Sequence, residues 1–71
     1  MPRTPKELLE ACERARQRGK DFPTIWRDVL RPNPLVIGLP GHDVRGGAPC
    51  IVVSLSTGDT LLSGHSGYRL A

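Results

Sequence analysis

The chain has 71 residues, 38% of them apolar, with ten Lys and Arg against seven Asp and Glu for a net charge of +3. That length allows one small domain, residues 1–71, and excludes the large α/β enzyme scaffolds. The composition is too apolar for a disordered chain and too polar for a membrane span.

A domain of this size buries only ~60% of its unfolded-chain surface. Its stability is expected to be roughly 4–10 kcal/mol, so the loss of one core anchor can unfold it. The charge is uneven. Residues 1–34 hold eight cations against five anions, and residues 35–71 hold two of each. The two cysteines, Cys12 and Cys50, do not make the disulfide framework of a small secreted domain. With no signal peptide and no apolar run long enough to cross a bilayer, the expectation is a cytoplasmic protein with free, buried thiols.

Thr4-Pro5-Lys6-Glu7 marks the start of a first helix over 4–19. Thr4 suits the N-cap, Pro5 the first helical position, and Glu7 completes a capping box. Gly19 is placed to end it. Leu8, Cys12 and Ala15, flanked by Leu9, form a narrow apolar stripe. A second helix is expected over 21–31, capped by Asp21. Phe22, Ile25, Trp26, Val29 and Leu30 recur at helical spacing, and Pro32 and Pro34 stop it.

From Leu35 the period changes. Leu35-Val36-Ile37 is short and apolar and predicts a strand. Residues 38–49 carry four glycines and two prolines and are expected to be a loop. Cys50 to Ser56 alternates as a half-buried strand does. Two further strands, 60–63 and 68–70, follow turns at Thr57-Gly58-Asp59 and Gly64–Gly67. The expected fold is α+β: two N-terminal helices packed on a small, mainly antiparallel sheet of three to four strands, in the order α-α-β-β-β-β. Its expected core is Leu8, Cys12, Ala15, Phe22, Ile25, Trp26, Val29, Leu30, Ile37, Ile51, Val53, Leu55, Leu61 and Tyr68.

Six features bear on function. The ten residues Val36–Arg45 resemble the glycine-loop signature of KH nucleic-acid-binding domains, whose loop joins two helices and clamps the nucleic-acid backbone. Here Pro34 stands where the first of those helices belongs, and Gly46, Gly47 and Pro49 where the second does. Gly64-His65-Ser66-Gly67 resembles part of the nucleophile elbow of α/β-hydrolases, but Tyr68 takes the place of its second glycine and no helix can follow. A strand end with a loop, and a hairpin turn, are the readings that fit.

His42, Asp43, Cys50, Asp59 and His65 supply metal-ligand residue types without the paired short spacing of small zinc sites. A metal- or thiol-dependent activity would centre on His42, Cys50 and His65. Arg14, Arg16, Arg18 and Lys20, with Arg27 and Arg31, form a basic helical surface suited to phosphate. Cations also suit a helix C-terminus, and Glu10 with Arg14 makes an ordinary i,i+4 pair. Phe22 and Trp26 belong to the core. The 38–49 loop, with His42, Asp43 and Arg45, is the expected contact surface, since long loops without structure of their own are usually functional.

The expectation is therefore a non-enzymatic binding or adaptor protein without cofactor or bound metal, whose partner is another protein or itself. Its candidate contact residues are His42, Asp43, Arg45, Arg14, Arg16, Arg18, Arg27 and Arg31. The alternative is a weak nucleic-acid-binding protein that uses the arginine-rich helices.

Overall fold

The computed structural model describes all residues, Met1–Ala71. Helix α1 spans Pro5–Gln17 and α2 spans Phe22–Ile25, which runs on into a π-helical segment, Trp26–Leu30. Strands β1 (Val36–Arg45), β2 (Ala48–Leu55), β3 (Thr60–Gly64) and β4 (Gly67–Leu70) complete the chain. All neighbouring strands are antiparallel, in the order β1-β2-β3-β4. Two helices and a four-stranded antiparallel sheet make this a small α+β fold, and no helix is long and apolar enough to cross a membrane.

Local chemistry accounts for the helix ends. The Thr4 hydroxyl accepts the Glu7 N–H at 3.1 Å, and the Glu7 carboxylate accepts the Arg3 N–H at 3.1 Å. Together they satisfy amides that have no partner in the first turn. At the other end the Lys20 N–H donates to the Ala15 carbonyl and the Gly19 N–H to the Arg16 carbonyl, a Schellman closure. Asp21 caps α2 through the Thr24 N–H at 3.0 Å. The expected single helix over 21–31 is corrected in its second half. There the Arg31 N–H donates to the Trp26 carbonyl at 2.7 Å, five residues back, which is π rather than α closure.

Leu8, Cys12, Ile25, Leu30, Val53, Leu55, Leu61 and Tyr68 form the core cluster. Ala15, Phe22, Trp26 and Val29 pack against it partly buried, with the Phe22 and Trp26 rings stacked at 6.3 Å. Two residues expected in the core lie outside it: Ile51 on β2 is half-buried and joins neither the cluster nor the side chains packed on it, and Ile37 turns away from it. Ile37 is 50% exposed, and Val36 is the residue that packs against the cluster. Val36 pairs with the core residue Leu55, so the alternation along β1 sends Ile37 to the opposite face. Asn33, buried between helix and sheet, donates from Nδ2 to the Pro2 carbonyl and accepts the Leu35 N–H, both at 2.9 Å.

The expected 38–49 loop does not exist. Those residues are the distal part of β1, a two-residue turn and the start of β2. Gly46 and Gly47 both have positive φ, +59° and +80°, as a tight type I′ hairpin turn requires. Pro40 lies in a register irregularity between Ile37 and Gly41, where a missing N–H is tolerated. Pro49 precedes the point at which β2 begins pairing with β3, so its missing N–H costs no ladder bond.

Beside the apolar packing of Leu8 and Cys12, one polar side chain ties α1 to the sheet. The Glu13 carboxylate accepts the backbone N–H of Tyr68 on β4 and also holds Arg16, Nη2 to Oε2, at 3.2 Å. These contacts hold the Glu13 carboxyl below its ordinary pKa, the Arg16 hydrogen bond being the larger cause and the Tyr68 N–H the next. A depressed carboxyl pKa means that the stabilisation is fully present above the unfolded-state pKa and is lost as pH falls through the folded value. Gly67 is what lets Glu13 come so close. It has φ +120°, and a Cβ there would collide with the Glu13 carboxylate and crowd the Arg16 guanidinium. Gly67→Ala is therefore expected to destabilise the fold by about 1–3 kcal/mol, a fall in melting temperature of roughly 4–20 °C in thermal denaturation. Gly41→Ala, where a Cβ meets nothing within 4 Å, is the matched control and is expected to leave the midpoint within a few degrees of the parent.

Candidate functional site

The β1–β2 and β3–β4 turns lie at the same end of the meander, and the β2–β3 turn at the other. At the paired-turn end, His42, Ile51 and Ser63 are cross-strand neighbours in one row. Asp43, Cys50 and Gly64 are their sequence neighbours in the next row, facing the opposite side of the sheet. A cavity of about 310 Å³ is bounded by these six residues and Pro49. Three of the residue types singled out for chemistry, His42, Asp43 and Cys50, thus come to one place.

They do not converge as a metal centre. His42 points to one face and Asp43 and Cys50 to the other, and no three His, Cys, Asp or Glu side chains form a metal-binding group. Asp59 stands at the far end of the sheet, where its carboxylate accepts the Thr57 hydroxyl at 2.6 Å. His65 occupies the β3–β4 turn, outside the cavity wall.

Asp43 is committed locally. Its carboxylate accepts the Val44 N–H and the Arg45 Nε–H, both at 2.7 Å. These bonds hold its carboxyl below the ordinary carboxylate range, Arg45 being the larger cause. The same pairing raises the Arg45 guanidinium. The Val44 contact has a structural consequence. Residues flanking a two-residue turn exchange both ladder bonds, so Arg45, Asp43 and Gly41 turn their backbone polar groups toward β2. Val44 turns its own outward, to the free edge of the sheet, and Asp43 occupies that edge donor.

The expected basic surface is divided. Arg14 and Arg18, four residues apart, share a side of α1, whereas Arg16 turns away and is tied to Glu13. Glu10 and Arg14 form no ion pair. Arg27 pairs with Asp28 at 2.8 Å. Arg14, Arg18, Lys20 and Arg31 are exposed and make no ion pair, and Arg18 and Lys20 border a smaller cavity of about 180 Å³ floored by Ala15, Ile25 and Val29. His42, Asp43 and Arg45 are not part of this surface. They lie on β1, while α1 rests on β4, about 14 Å away across three strand spacings.

Two features were missed in the sequence. Large exposed apolar side chains concentrate on β1: Ile37, Leu39 at 84% exposure and Val44 at 63%, with Met1 the one other. Arg69 was assigned no role, yet its guanidinium lies over the cavity wall, with Nη1 3.8 Å from where a Gly64 Cβ would stand and the Cys50 Cβ 3.9 Å from the same point.

Comparison with known proteins gives no match, whether to family models, to curated proteins or to solved structures.

Both thiols are free and buried. Burial, reinforced by the neighbouring Glu13 charge, pushes the Cys12 pKa up to about 12. The thiolate is the reactive form, so iodoacetamide at pH 8 is expected to leave Cys12 unlabelled in the folded protein and to label it in denaturant, as read by intact mass. Rapid labelling of Cys12 in the folded state would contradict this burial.

Proposed function

We propose that the chain is a binding module that acts by protein–protein contact, with the β1–β2 hairpin as its contact element. The observation that carries this reading is the concentration of exposed apolar side chains on β1, namely Ile37, Leu39 and Val44. Exposed apolar groups gathered on one element mark interaction surfaces more often than scattered ones do. On the same strand, His42 on one face and Asp43 with Arg45 on the other would supply the polar groups on the two sides of that contact element. Neither edge strand leaves its turn-proximal amide open, since Asp43 holds the Val44 N–H and Glu13 the Tyr68 N–H. At those two positions a partner, a different protein or a second copy, would be met through side chains. Two free thiols suit the reducing cytoplasm as the compartment.

Nucleic acid is the alternative partner. It is supported by Arg14, Arg18, Lys20 and Arg31, exposed cations without ion pairs on or beside the helices. On that reading affinity would fall steeply with salt through counterion release.

The two readings predict different contact positions. A photo-crosslinking residue is placed at Leu39 in one variant and at Arg18 in another, and each is irradiated in cells. Discrete protein adducts at position 39, lost when Ile37 and Val44 are changed to Asp, are the expected result. Adducts at position 18 alone, removed by nuclease, would replace this reading with the nucleic-acid one.

A further inference from the structure

We infer that the Cys50–Gly64 wall of the cavity at the paired-turn end is a binding site for a compact oxyanion, a single carboxylate or phosphate group, with Arg69 as its principal donor. This does not depend on the protein-contact reading of β1.

Arg69 pairs with Leu62 across the β3–β4 ladder, so its side chain starts on the sheet face that also carries Cys50 and Val52. That face is opposite the one bearing the core residues Val53, Leu61 and Tyr68. From there the guanidinium reaches over Gly64 toward Cys50, as the distances of 3.8 and 3.9 Å show. Leu62 and Cys50 are only 2% and 7% exposed on this face. The exposed Arg69 head group therefore lies over buried apolar side chains, and it adjoins, without lining, a cavity of about 310 Å³ whose wall includes Gly64 and Cys50.

Arg69 makes no ion pair and no side-chain hydrogen bond. Arg16, Arg27 and Arg45 each hold a carboxylate. A guanidinium presents a planar fork of donors that matches two oxygens of a carboxylate or phosphate. Its attraction for an anion is strengthened where neighbouring apolar groups displace water.

The one anion at the cavity is Asp43, and it is already neutralised by Arg45 and by the Val44 N–H. His42 and Ser63 also border the cavity, but from the other face of the sheet, so Arg69 is the donor on this one. Gly64 keeps the space beneath the guanidinium open. It has no positive φ, so a larger side chain is tolerated by the backbone there and would fill that space.

The test is a titration of the isotope-labelled full chain, followed by NMR, with sodium phosphate and separately with sodium acetate at constant ionic strength. The expected result is a saturable shift of the Arg69 Nε–H signal together with the Gly64 and Cys50 amides. The anion that saturates at the lower concentration identifies phosphate or carboxylate as the ligand group. Arg69→Gln is expected to weaken binding by about tenfold or more, the usual loss when a charged hydrogen-bonding partner is removed. Gly64→Val, which leaves every charge in place, is expected to do the same. The wild-type titration decides the matter even if either variant fails to fold. Shifts that stay linear to high concentration, or that centre on Arg18, Lys20 and Arg31, would overturn the assignment. So would saturation unaltered in Arg69→Gln.

Discussion

The Glu13 carboxylate takes the β4 amide that a fifth strand would otherwise have taken, and that bond sets the register of α1 on a sheet it also meets through apolar packing. Tyr68 follows the β3–β4 turn by one ladder position, so its N–H points out of the sheet. Glu13 accepts it while holding Arg16 with the same carboxylate. Cys12 immediately precedes Glu13, and Leu8 lies four residues before Cys12 on the same side of α1. Fixing Glu13 on β4 therefore helps set Leu8 and Cys12 against Val53, Leu61 and Tyr68. Gly67 makes the approach possible by having no side chain to obstruct it. The Tyr68 hydroxyl is buried without a hydrogen-bond partner, and burial raises its pKa. The neighbouring Ser63 hydroxyl offsets that only in part and does not reach hydrogen-bonding geometry.

The opposite edge is closed at its turn-proximal end by related chemistry on a local scale. Asp43 occupies the outward Val44 amide, Pro40 has no amide to offer, and the register irregularity between Ile37 and Gly41 breaks the strand's regularity. Unprotected edge strands recruit other strands indiscriminately. With the Val44 amide occupied and Pro40 without one, β1 offers only a short stretch around His42 for strand addition, while Ile37, Leu39 and Val44 are exposed for recognition by side chains. That is the physical content of the proposed contact surface, and it separates β1 from the cationic helical surface at the other edge of the sheet.

Much of the fold was legible in the sequence where signals are local. The Thr4 and Asp21 caps, the helix end at Gly19 and the three-strand meander from Cys50 follow from neighbouring residues and appear as expected. The β1–β2 hairpin was not legible as such, because glycine and proline were weighed as loop formers. Gly46-Gly47 is a tight-turn pair, and Pro40 and Pro49 sit where a strand tolerates proline. The π closure at Trp26–Leu30 carries no pattern that distinguishes it from an α-helix. The candidate site was half legible. His42, Asp43 and Arg45 were singled out and lie on β1, but the link between Glu13 and Tyr68 spans 55 residues, and the placement of Arg69 over Gly64 needs the register of β3 and β4. Such contacts depend on tertiary geometry that periodicity does not encode.

Amide hydrogen exchange at Tyr68 tests the central claim most directly. If Glu13 closes the β4 edge, the Tyr68 amide is protected in the native protein as strongly as the paired amides of β3. In Glu13→Ala it becomes fast while the β2–β3 amides stay slow. A Tyr68 amide that exchanges freely in the native protein, or equally slowly in both proteins, would contradict the account.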